Sequence, residues 1–253
     1  MLEHWYQFVF LFVAGGAAGL IDSIAGGGGL ITVPALLLAG LDPRLALGTN
    51  KFQSSFGSFT ASVRYARAGE VQVKRTVPGI VFTLIGAATG SALVQVIRIE
   101  LLDALIPFLL LAILLYTVFS PRLGAIDSHP RMKEGAFYCI FGLAMGFYDG
   151  FFGPGTGSIW VIAFMLFLGQ NLKKATAHTK IMNFTSNVVA LAVFVIGGNV
   201  LYSAGLVMAV GQIIGARIGS GMVIKRGAEF IRPIFITMVA LATLKLFWDR
   251  FGG

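Results

Sequence analysis

Several apolar stretches in this chain are long enough to cross a lipid bilayer, whose hydrocarbon core of about 30 Å requires about 20 helical residues. The clearest stretch covers residues 101–119, and its only charged residue is Asp103, near one end. Charged residues make up 12% of the chain and the mean hydropathy is +0.85, so too few polar side chains are present to cover a water-facing exterior. The sequence therefore predicts an all-α integral membrane protein that crosses the bilayer several times.

The basic residues and the single cysteine narrow the function classes. The net charge is +8, but most lysines and arginines lie between apolar stretches, where they orient a membrane protein by the positive-inside rule. We therefore expect a lipid bilayer, and no nucleic acid, as the partner of this charge. Cys139 is the only cysteine, which excludes an internal disulfide and a cysteine-based metal cage, and we expect neither a metal nor a cofactor.

Three short motifs occur in the same order in each half of the chain. Their first and second copies are residues 19–29 and 146–156, 46–51 and 175–180, and 85–91 and 214–220. An ordered series of this kind indicates duplication. We therefore predict a first transmembrane repeat at 1–120, a cytoplasmic linker at 121–133 and a second transmembrane repeat at 134–253.

Each half contains one glycine-interrupted apolar segment followed by three further apolar spans. The predicted segments are 5–40 (interrupted at 22–29), 45–66, 76–97 and 101–119, and then 134–168 (interrupted at 149–157), 176–197, 200–224 and 229–248. If each interrupted segment forms a hairpin, each half crosses the bilayer three times and the halves have opposite orientations. If each interrupted segment crosses once, the repeats are parallel.

The charges of equivalent loops favour the inverted arrangement. Between the second and third segments the second half is uncharged, whereas the first half contains Arg64, Arg67, Lys74 and Arg75. Between the third and fourth segments the bias is reversed, and the second half contains Lys225, Arg226 and Arg232. Opposite bias at equivalent loops predicts two inverted-topology repeats, each a glycine-broken hairpin plus three transmembrane helices, with both termini outside.

The residues of the two breaks are candidates for binding an anion. A helix does not continue through them, because glycine is entropically costly and proline lacks an N–H donor. The helix after each break begins with unpaired N–H groups that carry partial positive charge and attract anions. Paired broken helices in repeats indicate a transporter site near the bilayer midplane. The candidate ligands are Gly28, Gly29, Gly155, Thr156 and Gly157. The alternative is that these glycines only allow close helix packing.

Three charged residues within the predicted spans are candidates for a coupling or structural charge. Asp22 and Asp149 enter the two breaks at equivalent positions, where a carboxylate either caps loop N–H groups or takes up a proton coupled to transport. Capping is favoured, because an ionised carboxylate repels an anion. Arg217 lies in the middle of a span, where the first half has Ala88. A buried arginine needs an anion, which one of these aspartates or the substrate would supply.

A second set of polar residues lies near the start of the span that follows each broken segment. Lys51 and Lys180 are equivalent in the repeat, and each either binds the substrate or extends to the membrane surface. Lys180, Asn183 and Asn187 recur at spacings of three and four residues and share one helix face. The other candidate substrate ligands in this set are Thr49, Asn50, His178 and Thr179.

Together these motifs resemble the sulfite exporter TauE/SafE family of membrane permeases, also called the toluene-sulfonate uptake permease family. The resemblance rests on residues 19–34, 46–51 and 153–157 and covers nearly the whole chain. It implies transport of small sulfur-containing or organic anions such as sulfite, sulfonates or sulfoacetate, mostly in prokaryotic inner membranes. Pro154 replaces a glycine and His178 a threonine in the second copy, so we expect an asymmetric site.

The sequence thus predicts a secondary transporter rather than an enzyme. It would hold a small anion near the bilayer midplane and work by alternating access, with protons as the candidate coupling ion and the inner cell membrane as its location. A passive anion channel of the same architecture is the alternative. An intramembrane enzyme is disfavoured, because the sequence contains no metal-ligand cluster and no Ser/His/Asp set with recognisable spacing.

Overall fold

The computed structural model describes residues 5–98, 100, 101, 108 and 129–226, and this part of the chain is helical, with no strand. The helices with defined bounds are α1 (Trp5–Ala25), α2 (Gly29–Leu38), α3 (Pro43–Arg67), α4 (Val77–Val96), α5 (Glu134–Phe151), α6 (Thr156–Leu168), α7 (Leu172–Ile196) and α8 (Tyr202–Arg226). A 3-10 turn, Val73–Thr76, precedes α4. The predicted span at 229–248, nearly all of that at 101–119 and most of the linker lie outside the described residues.

Within the described residues, four helices are long and apolar enough to cross a membrane, and they are Trp5–Ala25, Val73–Val96, Leu172–Ile196 and Tyr202–Lys225. Helix α3 has 25 residues as well, but its sequence is more polar. Large apolar side chains are exposed on the outer faces of these helices, among them Val81, Leu84, Leu206 and Val210. Such surfaces suit contact with lipid, and the prediction of a multi-pass helical membrane protein is confirmed.

The two halves have the same turn geometry at equivalent positions. Gly40 after α2 and Gly169 after α6 both have positive φ, 92° and 65°, a conformation that glycine adopts without steric cost. Asp42 and Asn171 cap α3 and α7, and each accepts a 3.0 Å hydrogen bond from a backbone N–H in the first turn. Equivalent local sequence signals therefore begin equivalent helices in the two halves.

The chain folds back on itself at both breaks. Leu38, at the end of α2, lines a groove together with Phe10, near the start of α1. In the second half, the ring of Phe164 in α6 lies 5.0 Å from that of Phe137, near the start of α5. The short helix after each break thus runs back along the helix before it, and each broken segment is a hairpin.

The two halves interlock. Helix α1 packs along α8, and α5 packs along α4, so the first helix of each half lies against a later span of the other. Glycines line both contacts: a Cβ on Gly215 would lie 2.6 Å from the Leu20 nitrogen, and one on Gly86 would lie 2.7 Å from the Phe147 nitrogen. Small residues let membrane helices approach this closely, and the reciprocal contacts hold both hairpins at the centre of the bundle.

The orientation of the two halves across the membrane stays a prediction. We expect both termini outside and positions 67 and 226 in the cytoplasm, because basic loops are retained there. An ion pair between Glu70 and Lys173, 2.6 Å long, puts the loop after α3 and the start of α7 at one end of the bundle, as this topology requires. Single cysteines introduced by Arg67→Cys or Arg226→Cys in a Cys139→Ala background should react with an impermeant thiol reagent only after the membrane is opened. Labelling of position 226 on intact cells would exclude the inverted arrangement.

Candidate functional site

The two breaks meet in the middle of the bundle. A Cβ on Gly26 would lie 2.6 Å from the Gly157 Cα, and a Cβ on Gly29 would lie 3.0 Å from the Pro154 Cα. Gly26 also has a φ of +80°, which other residues rarely adopt. These glycines therefore do serve close packing, and the packing brings the N-termini of α2 and α6 together.

A small polar cavity, here called the central cavity, lies between the two breaks. Its volume is about 20 Å³, and a single water needs about 10–15 Å³. Each half contributes six of the lining residues, which are Asp22, Gly27, Gly28, Gly29, Asn50 and Ser54 from the first half and Asp149, Gly153, Thr156, Gly157, Asn183 and Asn187 from the second. The fold therefore places a polar space inside a bundle that exposes many large apolar side chains.

The central cavity offers hydrogen-bonding groups without protein partners. The amides of Gly29 and Gly157, at the starts of α2 and α6, donate to no protein group in the described residues, and inside a membrane such groups require a ligand or water. Asn183 is 6% exposed, and its side-chain Oδ1 has no partner among the described residues. Because an asparagine amide can present either end, Asn183 can also turn its N–H groups toward the cavity.

Two reciprocal ion pairs flank the central cavity. Lys51 Nζ lies 2.7 Å from Asp149 Oδ1, and Lys180 Nζ lies 3.0 Å from Asp22 Oδ2. Each ammonium group also donates to the main-chain oxygen of its aspartate. Both lysine side chains are fully buried, so neither extends to the membrane surface. Each pair joins the helix before a break in one half to the span after the break in the other, and each lysine neutralises a carboxylate.

The two aspartates differ in their other partners. Asp22 Oδ1 accepts a hydrogen bond of 3.2 Å from the Gly28 N–H, so this carboxylate caps the first break. Asp149 Oδ2 instead accepts a hydrogen bond from the hydroxyl of Ser186. The Asp22 side chain is 18% exposed and that of Asp149 is 6% exposed. The two carboxylates occupy corresponding places in the two halves but differ in hydrogen-bond partners and in exposure, so the central cavity is asymmetric.

Six of the predicted ligands lie outside the cavity lining, namely Lys51 and Lys180 of the flanking ion pairs and Thr49, Gly155, His178 and Thr179. Thr49 Oγ1 accepts a hydrogen bond of 2.9 Å from the Leu201 N–H, and His178 Nδ1 lies 2.8 Å from a carbonyl oxygen of its own helix. Thr179 is fully buried, and its hydroxyl has no partner in the described part of the chain. Gly155 has a φ of +83° and forms the turn into α6 without lining the cavity.

The predicted burial of Arg217 is wrong. Its side chain is exposed on the outer face of α8, and the two aspartates that were its candidate partners are paired with lysines. The surrounding segment is apolar on every side, so helical periodicity does not show which of its faces is inside.

Some lining residues were not among the predicted ligands, namely Gly27, Gly153, Ser54 and Asn187. For the last two a sequence signal was present. Ser54 follows Asn50 by four residues and Asn187 follows Asn183 by four, so each pair shares one helix face.

Two broken helices that meet at a polar cavity, inside a bundle of membrane-spanning helices, are typical of membrane transporters. The family model described as "Sulfite exporter TauE/SafE" matches residues 11–246. The chain therefore belongs to the sulfite exporter TauE/SafE family.

Similar proteins cover almost the same length. The chain is 44% identical over 245 residues to "Probable membrane transporter protein ORF9" of Sinorhizobium sp., covering 97% of this chain and 94% of that protein. It is 45% identical over 244 residues to a "Probable membrane transporter protein" of Haemophilus influenzae, covering 95% and 94%. It is 44% identical over 242 residues to "Probable membrane transporter protein YfcA" of Escherichia coli (strain K12), covering 96% and 90%. The predictions of the family and of a membrane transporter rather than an enzyme are confirmed.

Proposed function

We propose that the chain is a secondary transporter that moves small sulfur-containing or organic anions, such as sulfite, sulfonates or sulfoacetate, across the inner cell membrane by alternating access. The observation that carries the proposal is the convergence of two helix N-termini on the central cavity, where the amides of Gly29 and Gly157 have no protein acceptor in the described residues. An oxyanion head group accepts hydrogen bonds from several N–H groups at once. Broken helices that direct their N-termini at an anionic substrate group are known in other transporter folds.

The charges around the cavity suit an anion that carries one negative charge. Asp22 and Asp149 are each paired with a lysine, so the four side chains sum to zero. The partial positive charges of the two helix N-termini remain. A bound anion therefore meets a net attractive environment, although two carboxylates line the cavity.

The central cavity is too small for an oxyanion head group, so anion binding is coupled to movement of the two halves. A volume of about 20 Å³ is close to that of one water site, and an oxyanion head group is larger. Binding therefore requires the two hairpins to separate, and the Lys51–Asp149 and Lys180–Asp22 pairs cross from one half to the other. In this mechanism, movement of one half against the other opens the cavity to each side of the membrane in turn.

Binding and flux measurements test this function. Calorimetry of the purified protein with sulfite, thiosulfate, methanesulfonate, sulfoacetate and acetate should give saturable binding of at least one sulfur oxyanion. In liposomes, saturable and proton-dependent uptake is expected of a transporter, whereas an ohmic current would identify the passive channel instead. Absence of binding by all five anions would count against an anion site at the central cavity.

The variant Asn183→Asp should weaken anion binding by roughly thirtyfold. The substitution keeps the shape of the side chain and puts a carboxylate in the cavity lining. Two like charges about 8 Å apart repel by about 2 kcal/mol at an effective dielectric constant of about 20. Calorimetric affinity for the best-bound anion is the measurement.

The matched control is Asn171→Asp. Asn171 caps α7 by accepting a hydrogen bond from the Lys174 N–H, 3.0 Å long, and aspartate caps equally well. We expect wild-type affinity in this variant. Equal affinities in the two variants would remove Asn183 from the anion site.

A further inference from the structure

Asp22 and Asp149 have different hydrogen-bond partners, and this difference leads to a proposal that rests on the proposed anion transport. We propose that Asp22 is a resident anion at the N-terminus of α2, which takes up one proton when the transported anion binds, while Asp149 remains a charged structural partner of Lys51. Asp22 occupies two donors that suit an anion, the Gly28 N–H at 3.2 Å and the Lys180 ammonium at 3.0 Å. A proton on Asp22 releases both donors to the incoming anion.

Asp149 is held differently. Its carboxylate accepts from Lys51 at 2.7 Å and also from the Ser186 hydroxyl, so both of its oxygens are bound by side chains that lie outside the break. The position equivalent to Ser186 in the first half is Gly57, which has no side chain to donate. A Cβ on Gly57 would lie 3.1 Å from Gln212 Cδ and closer still to the oxygen of that side chain, so Gln212 would have to shift to admit a side chain there.

The backbone N–H groups at the second break are not bound by the aspartate that precedes them. Asp149 makes no hydrogen bond to the start of α6 among the described residues, and the Gly157 amide there has no protein acceptor. On one side of the cavity the anion therefore meets a helix N-terminus with no carboxylate bound to it, and on the other it meets the free Gly29 amide beside the Gly28 amide that Asp22 occupies. Asn183, nine-tenths buried and unpartnered at Oδ1 in the described structure, is also in the cavity lining.

Few other charged or titratable groups face Asp22 in the described residues. Lys180 reaches it from α7, and the Tyr65 hydroxyl from α3 donates to the neighbouring Ser23 carbonyl at 2.7 Å. Asp149 lies across the cavity. Helices α2 and α6 contain no titratable side chain, and on α8 Arg217 points outward.

The charges balance in this scheme. One anion and one proton enter the site from the same side, an O–H bond forms on the Asp22 carboxyl, and the Lys180 ammonium exchanges a carboxylate partner for the transported anion. The net charge of the closed site is then the same when it is empty and when it is loaded. Because the anion and the proton together are neutral, loading the site adds no net charge that would have to move through the low-dielectric centre of the membrane.

The test uses the full chain in lipid nanodiscs with methanesulfonate, which stays a monoanion over the neutral pH range. Calorimetry in buffers of different ionisation enthalpy should show one proton taken up per anion bound, and affinity should fall about tenfold per pH unit above the protonation range. The variant Asp22→Asn should take up no proton and bind with an affinity independent of pH, whereas Asp149→Asn should keep the proton uptake. Uptake of zero or two protons by the wild type, or uptake that persists in Asp22→Asn, would overturn the proposal.

A second measurement decides the matter if the asparagine variants do not fold. Asp22→Glu keeps the charge, and the infrared carboxyl band that appears on anion binding should shift in this variant and not in Asp149→Glu. If methanesulfonate does not bind at any pH, the proposed function fails for this probe, and acid titration of the anion-free protein then tests Asp22 separately. If the first carboxyl band to appear on acidification shifts in Asp22→Glu, the inference is supported. If that band shifts in Asp149→Glu instead, the inference is overturned.

Discussion

Lys51→Gln should destabilise the folded protein by about 3–5 kcal/mol, since it leaves a buried carboxylate without its counter-charge. Both members of the pair are buried, at 0% and 6% side-chain exposure. The double variant Lys51→Gln/Asp149→Asn removes both charges together and should recover most of the loss. Unfolding free energies of the purified proteins, measured in mixed micelles or by steric trapping in bicelles, check this.

The exposed Lys74 provides the control for Lys51. Lys74→Gln should change the unfolding free energy by no more than about 0.5 kcal/mol, as for most surface substitutions. If Lys51→Gln were as stable as wild type, or the double variant as unstable as the single one, the two side chains would not act as a pair. The result also separates stability from binding, because a lysine engaged with an aspartate reaches the substrate only by exchanging partners.

Gly26→Ala should abolish transport and destabilise the protein more than any other substitution of a loop glycine by alanine. Gly26 has a φ of +80°, which costs alanine about 1–2 kcal/mol. Its Cβ would also lie 2.6 Å from the Gly157 Cα and closer to the next backbone atoms, and overpacking of this kind costs a further 1–3 kcal/mol or so. The two breaks would have to separate, which displaces the amides at the start of α6 from the cavity.

Gly69 is the matched control for the conformational cost of placing alanine at a positive φ. It has a similar φ, +75°, but a Cβ there would meet nothing within 4 Å. Gly69→Ala should therefore show the conformational cost alone and retain anion flux. Uptake into liposomes and unfolding free energy are measured for both variants. Equal losses in the two would mean that the contact between the breaks has no functional importance.

The positions of the helices were largely predictable. The predicted spans at 45–66 and 176–197 correspond to α3 and α7, which begin two and four residues earlier at Pro43 and Leu172. The interruptions predicted at 22–29 and 149–157 end within two residues of the starts of α2 and α6, which are Gly29 and Thr156. These features depend on local composition and on backbone hydrogen bonding, both of which act over a few residues.

The site was predictable only in part. Asn50, Asn183 and most of the break residues do line the central cavity, because polar side chains within an apolar span avoid lipid. The roles of the charged residues were not accessible in the same way. Arg217 was expected inside and is exposed, and Lys51 and Lys180 bond to aspartates although they were expected to bind either substrate or the membrane surface.

The sequence by itself determined that the chain is a helical membrane protein whose apolar segments are interrupted by glycines in each half, since hydropathy and glycine content are local properties of the chain. Only the tertiary structure decided which charges neutralise each other. Lys51 and Asp149 are 98 positions apart, and Lys180 and Asp22 are 158 apart, so their meeting depends on how the two halves interlock. The cavity follows from the same packing: it exists because each hairpin is held against the opposite half, where the small residues of α1, α4, α5 and α8 let the backbones approach.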